Sequence, residues 1–122
     1  MNQSVSRPAD ASSSASQVAQ LRCDLAKIRD AALAAVDPYA AVRRHMQCEA
    51  GILSIADGEW TLDGPAAVGR ISILAVGKAA VPMAQAACDV LGERLAGGVV
   101  VTKYGHASSH TLPEALVVME AG

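Results

Sequence analysis

The amino-acid sequence predicts an α/β fold: an incomplete parallel sheet built on one βαβ unit, preceded by two helices and a short β-hairpin. An apolar, β-branched run, Ile71 to Val76, ends at Gly77 and is followed by a helix-forming stretch. A second β-branched run, Gly98 to Thr102, comes next, and strand, helix and strand of these lengths form a βαβ unit. The apolar residues are mainly Ala, Val, Leu and Ile, which is typical of helices packed on a buried parallel sheet.

The N-terminal part is predicted to contain a tail and two helices. Residues 1–16 are rich in Ser and Ala and have no periodicity, so we expect a disordered tail. A helix is predicted from Gln17, because apolar residues then recur at three- and four-residue steps. Asp37-Pro38 ends this helix and begins a second one, with Asp37 as its cap and Pro38 at the first helical position. We expect the second helix to extend to about Met46 or Cys48.

A short hairpin is predicted before the parallel sheet. Ile52 to Ile55 and Trp60 to Leu62 flank Asp57-Gly58, which is a strong hairpin signal. Because both arms are short, we expect the hairpin to lie at a sheet edge.

The parallel sheet is predicted from three strands and one helix. The first strand covers Arg70 to Val76, and the helix runs from about Lys78 to Leu91. Gly97-Gly98 is expected to form the turn before the second strand, and Leu116 to Met119 is the third strand. No helix covers this third strand, so residues 17–122 are expected to be the truncated N-terminal portion of a larger α/β domain. A small free-standing domain, covered by the N-terminal helices, is the alternative.

Composition excludes several classes of function. The net charge is −2 and no basic stripe with interleaved aromatic residues occurs, which argues against nucleic-acid binding. Three cysteines without a C-x-x-C pair argue against a disulfide framework or a zinc site, and favour a reducing compartment. The sequence shows no membrane-spanning apolar run and no signal peptide, so a cytoplasmic location is expected. His45 and His110 have no partners at ligand spacing, and no metal site is predicted.

The main candidate site is the strand–helix junction at Gly77-Lys78. The helix dipole makes a cation unfavourable at a helix N-terminus, so a lysine there suggests an anion held jointly by Lys78 and free backbone N–H groups. Small residues on this helix, such as Ala79, Ala80 and Ala84, would most simply allow close helix–sheet packing, and they would also let a phosphate approach the backbone. The pattern is not a Walker A loop, because Ser72 stands where that motif has glycine and Ala79 where it has Ser or Thr. The alternative is a turn glycine followed by a lysine that extends into solvent.

A second candidate segment, Lys103 to His106, follows the next parallel strand. Ligands of open α/β sheets bind at the carboxyl ends of the strands, so this segment should lie on the same sheet edge as Lys78. Lys103 and His106 could then contact an anionic ligand. The alternative is a solvated loop with Gly105 at positive φ. In the helix between these segments, Met83 is expected in the core and Cys88 as a small buried apolar residue.

Four segments together resemble a known family. They are Ala34 to Pro38, Val76 to Ala84, Gly98 to His106 and Glu120 to Gly122. In order and spacing they are similar to the N-terminal part of glycerate 2-kinases of the MOFRL type, which are often named hydroxypyruvate reductases in bacteria. The resemblance covers about residues 20 to 122.

The resemblance implies ATP-dependent phosphorylation of D-glycerate to 2-phosphoglycerate, with ATP and Mg²⁺ as cofactors. It also implies a Rossmann-like N-terminal domain and a second α/β domain, with the active site in the cleft between them. The family's active-site lysine falls on Lys78, which makes Lys78 the candidate catalytic residue. The family continues after Glu120 to Gly122 with a His-Pro-x-Pro-Asp stretch that this sequence lacks. We therefore expect an N-terminal fragment that is inactive alone.

Two other functions remain open. A hydroxypyruvate reductase would need a nicotinamide site, but the sequence has no glycine fingerprint and no suitably placed acidic residue after the first βα turn. A non-catalytic α/β binding module could instead pair with another chain through an exposed sheet edge. A homodimer is compatible with each of these functions.

Overall fold

A computed structural model describes residues 9–65, 67, 69–107 and 111–122. The chain divides into two compact units, the first ending at Val36 and the second beginning at Asp37. The described elements are α1 (Ala9–Ala35), α2 (Pro38–His45), β1 (Met46–Glu49), β2 (Ile52–Ile55), β3 (Gly58–Thr61), β4 (Ile71–Val76), α3 (Ala80–Leu91), a 3₁₀ turn (Gly92–Arg94), β5 (Leu95–Lys103) and β6 (Leu116–Ala121).

The first unit contains α1, which is longer than the sequence predicts. It begins at Ala9, so residues 9–16, expected to belong to a disordered tail, are helical; residues 1–8 of that tail lie outside the described residues. Composition explains this helix only in part, because three of the eight residues are alanine, which has the highest helix propensity, and four are serine, which has a lower one. The predicted apolar stripe is exposed, with Leu21 and Leu25 62% and 64% accessible. None of the described helices is both long enough and apolar enough to cross a membrane.

The second unit begins with α2, whose start is as predicted and whose end is not. The carboxylate of Asp37 accepts a hydrogen bond from the N–H of Ala40 at 2.7 Å, and Pro38 is the first helical residue. The helix ends at His45, and Met46–Glu49 forms strand β1 rather than a further helical turn. The reason is pairing: β1 is antiparallel to β2, and Met46 lies opposite Ile55.

Strands β1, β2 and β3 form an antiparallel sheet of their own, in that order. The predicted hairpin is its β2–β3 half, but it belongs to this separate sheet rather than to the edge of the parallel one. A two-residue loop, Ala50-Gly51, joins β1 to β2, with φ values of +48° and +78°. Two left-handed residues give the turn that matches the twist of a hairpin. Alanine rarely adopts positive φ, so of these two residues only Gly51 indicates the turn from the sequence.

Strands β4, β5 and β6 form the expected parallel sheet, and α3 connects β4 to β5 as a βαβ unit. The Gly97-Gly98 turn prediction is wrong, because both glycines lie inside β5. A Cβ added at Gly98 would lie 2.1 Å from the carbonyl oxygen of Ile73, so this glycine allows close approach of the two strands. A register shift between Ile71 and Ser72 adjoins this contact.

Helix α3 packs on one face of the parallel sheet. Its small residues Ala80 and Ala84 are buried against Val100 of β5 and Leu116 of β6, which confirms the predicted close helix–sheet packing. Cys88 is buried in the same cluster, and desolvation raises the pKa of its thiol. The prediction for Met83 is wrong, since its side chain is 43% exposed.

Two polar contacts join other elements of the second unit to α3 and to the 3₁₀ turn that follows it. The Tyr39 hydroxyl of α2 donates a hydrogen bond of 2.7 Å to the carboxylate of Asp89 on α3, and this bond raises the pKa of the tyrosine. Arg94 donates two hydrogen bonds, of 2.7 and 2.9 Å, to the carboxylate of Asp63. A second apolar cluster links the two sheets and contains Leu53, Leu62 and Leu91. Ile73 and Leu95 pack against both this cluster and the cluster under α3.

Candidate anion-binding site at the carboxyl edge of the parallel sheet

The carboxyl ends of β4, β5 and β6 lie at one edge of the sheet. Val76 pairs with Val101, so the segment that begins at Gly77 leaves β4 beside the end of β5. The N–H of Gly77 donates a hydrogen bond of 2.9 Å to the carbonyl oxygen of Val101 and ties the two strand ends together. The structure therefore brings both predicted segments to the edge at which open α/β sheets bind ligands.

The first segment is a tight turn, Gly77 to Ala80. Gly77 has φ of +118°, and its carbonyl oxygen accepts the N–H of Ala80 at 3.1 Å. Nothing lies within 4 Å of a Cβ added at Gly77, so the backbone conformation rather than space calls for glycine. The helix begins at Ala80, two residues later than expected, and Lys78 lies in the turn that precedes it.

This turn presents hydrogen-bond donors without acceptors. Among the described residues, the amide N–H groups of Lys78 and Ala79 have no hydrogen-bond acceptor, and no side chain caps α3. Pro82 lies in the first helical turn, where backbone N–H groups have no acceptor within the helix; proline has no N–H, so it leaves no donor unpaired there. Lys78 is exposed and makes no ion pair in the described part of the chain. A cation beside unpaired N–H groups at a helix start is suited to an anion.

The second segment, Lys103 to His106, leaves β5 as a turn. The N–H of His106 donates to the carbonyl oxygen of Lys103 at 3.1 Å. Gly105 has a φ angle of +77°, as the alternative prediction of a solvated loop requires. Lys103 and His106 are both exposed. No side-chain hydrogen bond within the described ranges joins either residue to Lys78. The segments share an edge, and their binding role stays a prediction.

Two polar residues at this edge have no assigned role in the sequence analysis. Glu120, near the end of β6, accepts hydrogen bonds from the N–H groups of Gly105 at 3.0 Å and Ala107 at 3.2 Å. Thr102 is 2% exposed, and its hydroxyl oxygen has no hydrogen-bond partner among the described residues. A buried hydroxyl normally has a partner, so Thr102 is an unsatisfied polar group at the carboxyl edge of the parallel sheet. Residue spacing could not reveal either feature, because both depend on strand register.

An apolar cleft adjoins this edge, since Val76 and Ala80 are among the residues that line it. This cleft of about 580 Å³ lies between α2, β4 and α3, and Met83, Leu74 and Val76 are among the apolar residues that line it. The described residues contain no group of three or more His, Cys, Asp and Glu side chains arranged to hold a metal ion. His110 lies outside the described residues.

Comparison with protein families gives one match that covers most of the chain. Residues 24–122 match the family described as domain of unknown function DUF4147. The chain belongs to this family. DUF4147 is the N-terminal domain of the glycerate 2-kinase family, so the resemblance found in the sequence is confirmed at the level of the family.

Two individual relatives agree with this assignment. The D-glycerate 2-kinase of Thermotoga maritima is 60% identical over 38 residues, which are 31% of this chain and 9% of that protein. The crystal structure of the PH0495 protein from Pyrococcus horikoshii OT3 superimposes with a TM-score of 0.63 at 30% identity. That match covers 84% of this chain and 21% of the Pyrococcus chain, so the DUF4147 chain spans about a fifth of its length.

Proposed function

We propose that this DUF4147 chain supplies the lysine-bearing part of an ATP-dependent D-glycerate 2-kinase. In the reaction, the bond between the γ-phosphorus of ATP and its bridging oxygen breaks. A new bond forms to the C2 oxygen of D-glycerate, whose hydroxyl proton is released, and the products are 2-phosphoglycerate and ADP. The observation that carries the proposal is the Gly77–Ala80 turn, with Lys78 and two unpaired N–H groups at the ligand-binding edge of a parallel sheet.

The chemistry of phosphoryl transfer matches this arrangement. Charge on the transferring oxygens must be stabilised, and a preorganised ammonium and backbone N–H groups do so without moving at the moment of reaction. Lys78 and the amides of Lys78 and Ala79 would bind phosphate or carboxylate oxygens. Gly77 would keep the turn in its left-handed conformation, and Lys103 and His106 would add contacts from the adjacent strand end.

The residues fit a nucleotide phosphate better than they fit a magnesium ion. Cationic side chains and N–H donors are ligands for anions, and the described residues contain no group of three or more His, Cys, Asp and Glu side chains arranged to hold a metal ion. We therefore assign the chain a role toward phosphate or carboxylate oxygens and derive no step through Mg²⁺ from its residues.

The decisive experiment is a kinetic comparison in the complete polypeptide that carries this domain. We expect Lys78→Ala to lower kcat/KM by about a hundred- to a thousandfold, the usual cost of removing one preorganised charge from a closed site. The melting temperature should stay unchanged, because Lys78 is exposed and unpaired. Stabilisation by added ATP should disappear, since a ligand that no longer binds the native state cannot stabilise it.

Lys27→Ala is the matched control, because Lys27 is an exposed lysine on α1 and should leave both kinetics and melting unchanged. Turnover of hydroxypyruvate with a nicotinamide cofactor, in the absence of any phosphorylation of D-glycerate, would refute the proposal. Wild-type turnover in the Lys78→Ala variant would remove the lysine from the mechanism.

We further expect residues 1–122 alone to have no measurable kinase turnover. Positioning of both substrates supplies up to roughly 7–11 kcal/mol of barrier reduction in enzymatic reactions. One turn and one loop can orient an anion, but they provide no second wall that would align ATP with a hydroxyl group. ADP release by the isolated chain that depends on D-glycerate and exceeds that of its Lys78→Ala variant would contradict this expectation.

A further inference from the structure

One carboxylate holds the loop that follows β5. Oε1 of Glu120 accepts both the N–H of Gly105, at 3.0 Å, and the N–H of Ala107, at 3.2 Å. In the parallel register Glu120 lies beside Thr102, so the acceptor comes from the neighbouring strand and not from the loop itself. Among the described residues, the loop's own backbone contributes one hydrogen bond, from His106 to Lys103.

We propose that Glu120 is a positioning residue for the candidate site. By fixing the backbone of Gly105 and Ala107, it holds the segment with Lys103 and His106 at the sheet edge, where Gly77 is tied to Val101. This inference rests on the proposed function, because it assigns Glu120 a purpose within the same anion site.

Exposure argues against a purely structural purpose. Glu120 and Gly105 are exposed and belong to neither apolar cluster, so their hydrogen bond covers no part of the core. A charged acceptor for two backbone N–H groups is nevertheless stronger than a neutral one. The two hydrogen bonds therefore order a surface loop. A loop that is already ordered before the ligand binds does not lose conformational entropy on binding, so the affinity is higher.

The expected consequence is a change in affinity more than in the chemical step. When only a fraction of molecules has the loop in its binding conformation, the apparent dissociation constant rises by the inverse of that fraction. We expect Glu120→Ala to raise the Kd for ATP by about tenfold. The kcat should change by less than about threefold, because the Lys78 turn is held by Val101 and not by Glu120.

Three variants of the complete polypeptide test this. Glu120→Gln retains an oxygen that can accept both hydrogen bonds, but as a weaker neutral acceptor, so its exchange and affinity should lie between those of Glu120→Ala and the wild type. Glu120→Ala removes the acceptor, and amide hydrogen exchange at Gly105 and Ala107 should become about tenfold faster. Glu114→Ala is the matched control, because Glu114 is exposed and makes no side-chain hydrogen bond in the described part of the chain.

Exchange, ATP affinity by titration calorimetry and steady-state kinetics are measured together. Faster exchange and weaker binding in Glu120→Ala, with partial recovery of both in Glu120→Gln, would support the inference. Unchanged exchange in Glu120→Ala, or binding equal to that of Glu114→Ala, would overturn it while leaving the kinase proposal intact. Wild-type protein that binds ATP but does not phosphorylate D-glycerate would refute the kinase proposal, and the ATP affinities would still decide the role of Glu120. Wild-type protein that does neither would refute both.

Discussion

The two faces of the parallel sheet are built from the same kinds of residue and differ sharply in burial. On one face Val100 and Leu116 lie under α3, at 0% and 6% exposure. On the other face Leu74 and Val76 of β4 are 76% and 70% exposed, and Val117 of β6 is 59% exposed. Register aligns these open-face residues in rows across the sheet, Leu74 with Val99 and Val117, then Val76 with Val101 and Met119.

The difference shows that one helix determines which face of a largely apolar strand becomes part of the core. The run Ile71 to Val76 carries five apolar residues among six, and its burial nevertheless alternates along the strand. Parallel sheets generally have both faces covered, and a continuous apolar run is the sequence pattern for that situation. In the described structure α3 covers one face only. Stability should therefore depend on the covered face, and substitutions matched between the faces test this.

The largest expected difference in stability comes from placing the same charge on the covered face and on the open face. Val100→Asp buries an uncompensated carboxylate in the α3 cluster, at a cost of about 3–5 kcal/mol, which approaches the whole stability of a small domain. Val76→Asp places the same carboxylate in solvent and should cost about 1 kcal/mol or less. Thermal unfolding followed by circular dichroism measures both. Equal losses would mean that the face opposite α3 is buried as well.

A single added carbon should give a smaller effect of the same kind. Gly98→Ala places a methyl group on the covered face, 2.1 Å from the carbonyl oxygen of Ile73, so β4 and β5 must move apart. We expect a loss of about 1–3 kcal/mol, the usual cost of overpacking. The φ angle of Gly98 is not in the left-handed region, so backbone strain should not add to the measured loss of stability. Urea unfolding gives the free energy of unfolding directly.

Val117→Ile is the counterpart on the open face. It also adds one carbon, at a position with 59% exposure, and should leave the free energy of unfolding within about 0.5 kcal/mol. A stabilised Gly98→Ala variant would show that the strands are less close than described, and a strongly destabilised Val117→Ile variant would show that the open face is packed.

Sequence patterns predicted the fold best where local chemistry decides it. The Asp37-Pro38 helix start, the βαβ unit and the third parallel strand follow from capping residues and apolar runs, and all are confirmed. The errors lie where pairing overrides local preference. Strand β1 replaced a helical turn because it pairs with β2, and Gly97-Gly98 lies within a strand because β4 approaches closely.

The candidate site was predictable in its backbone and not in its contacts. A lone glycine and lysine after a β-branched run located the Gly77–Ala80 turn, and parallel topology placed Lys103 at the same edge. The hydrogen bonds of Glu120 and the unsatisfied hydroxyl of Thr102 depend on the register between β5 and β6. Met83 was misassigned because an apolar residue in an amphipathic helix can also border an open cleft.

The smallest expected effect belongs to a contact outside both faces, the exposed Asp63–Arg94 pair. The hydrogen bonds from Arg94 lower the pKa of Asp63 below its ordinary value. A carboxyl group with a lower pKa in the folded state stabilises the protein above its unfolded pKa of about 3.9, and the contribution is lost as the pH falls through the folded pKa. Asp63→Asn should therefore lower the Tm slightly at pH 7, by less than either covered-face substitution, and the difference from wild type should shrink as the pH falls below about 4. Glu59→Gln, which neutralises an exposed carboxylate on β3, is the control and should leave the Tm unchanged at pH 7. Thermal melts from pH 3 to pH 7 make the comparison. An Asp63→Asn deficit that is as large at pH 3 as at pH 7 would mean that the side chain acts through packing at the hairpin, where a Cβ at Gly51 would meet its carboxylate, rather than through its charge.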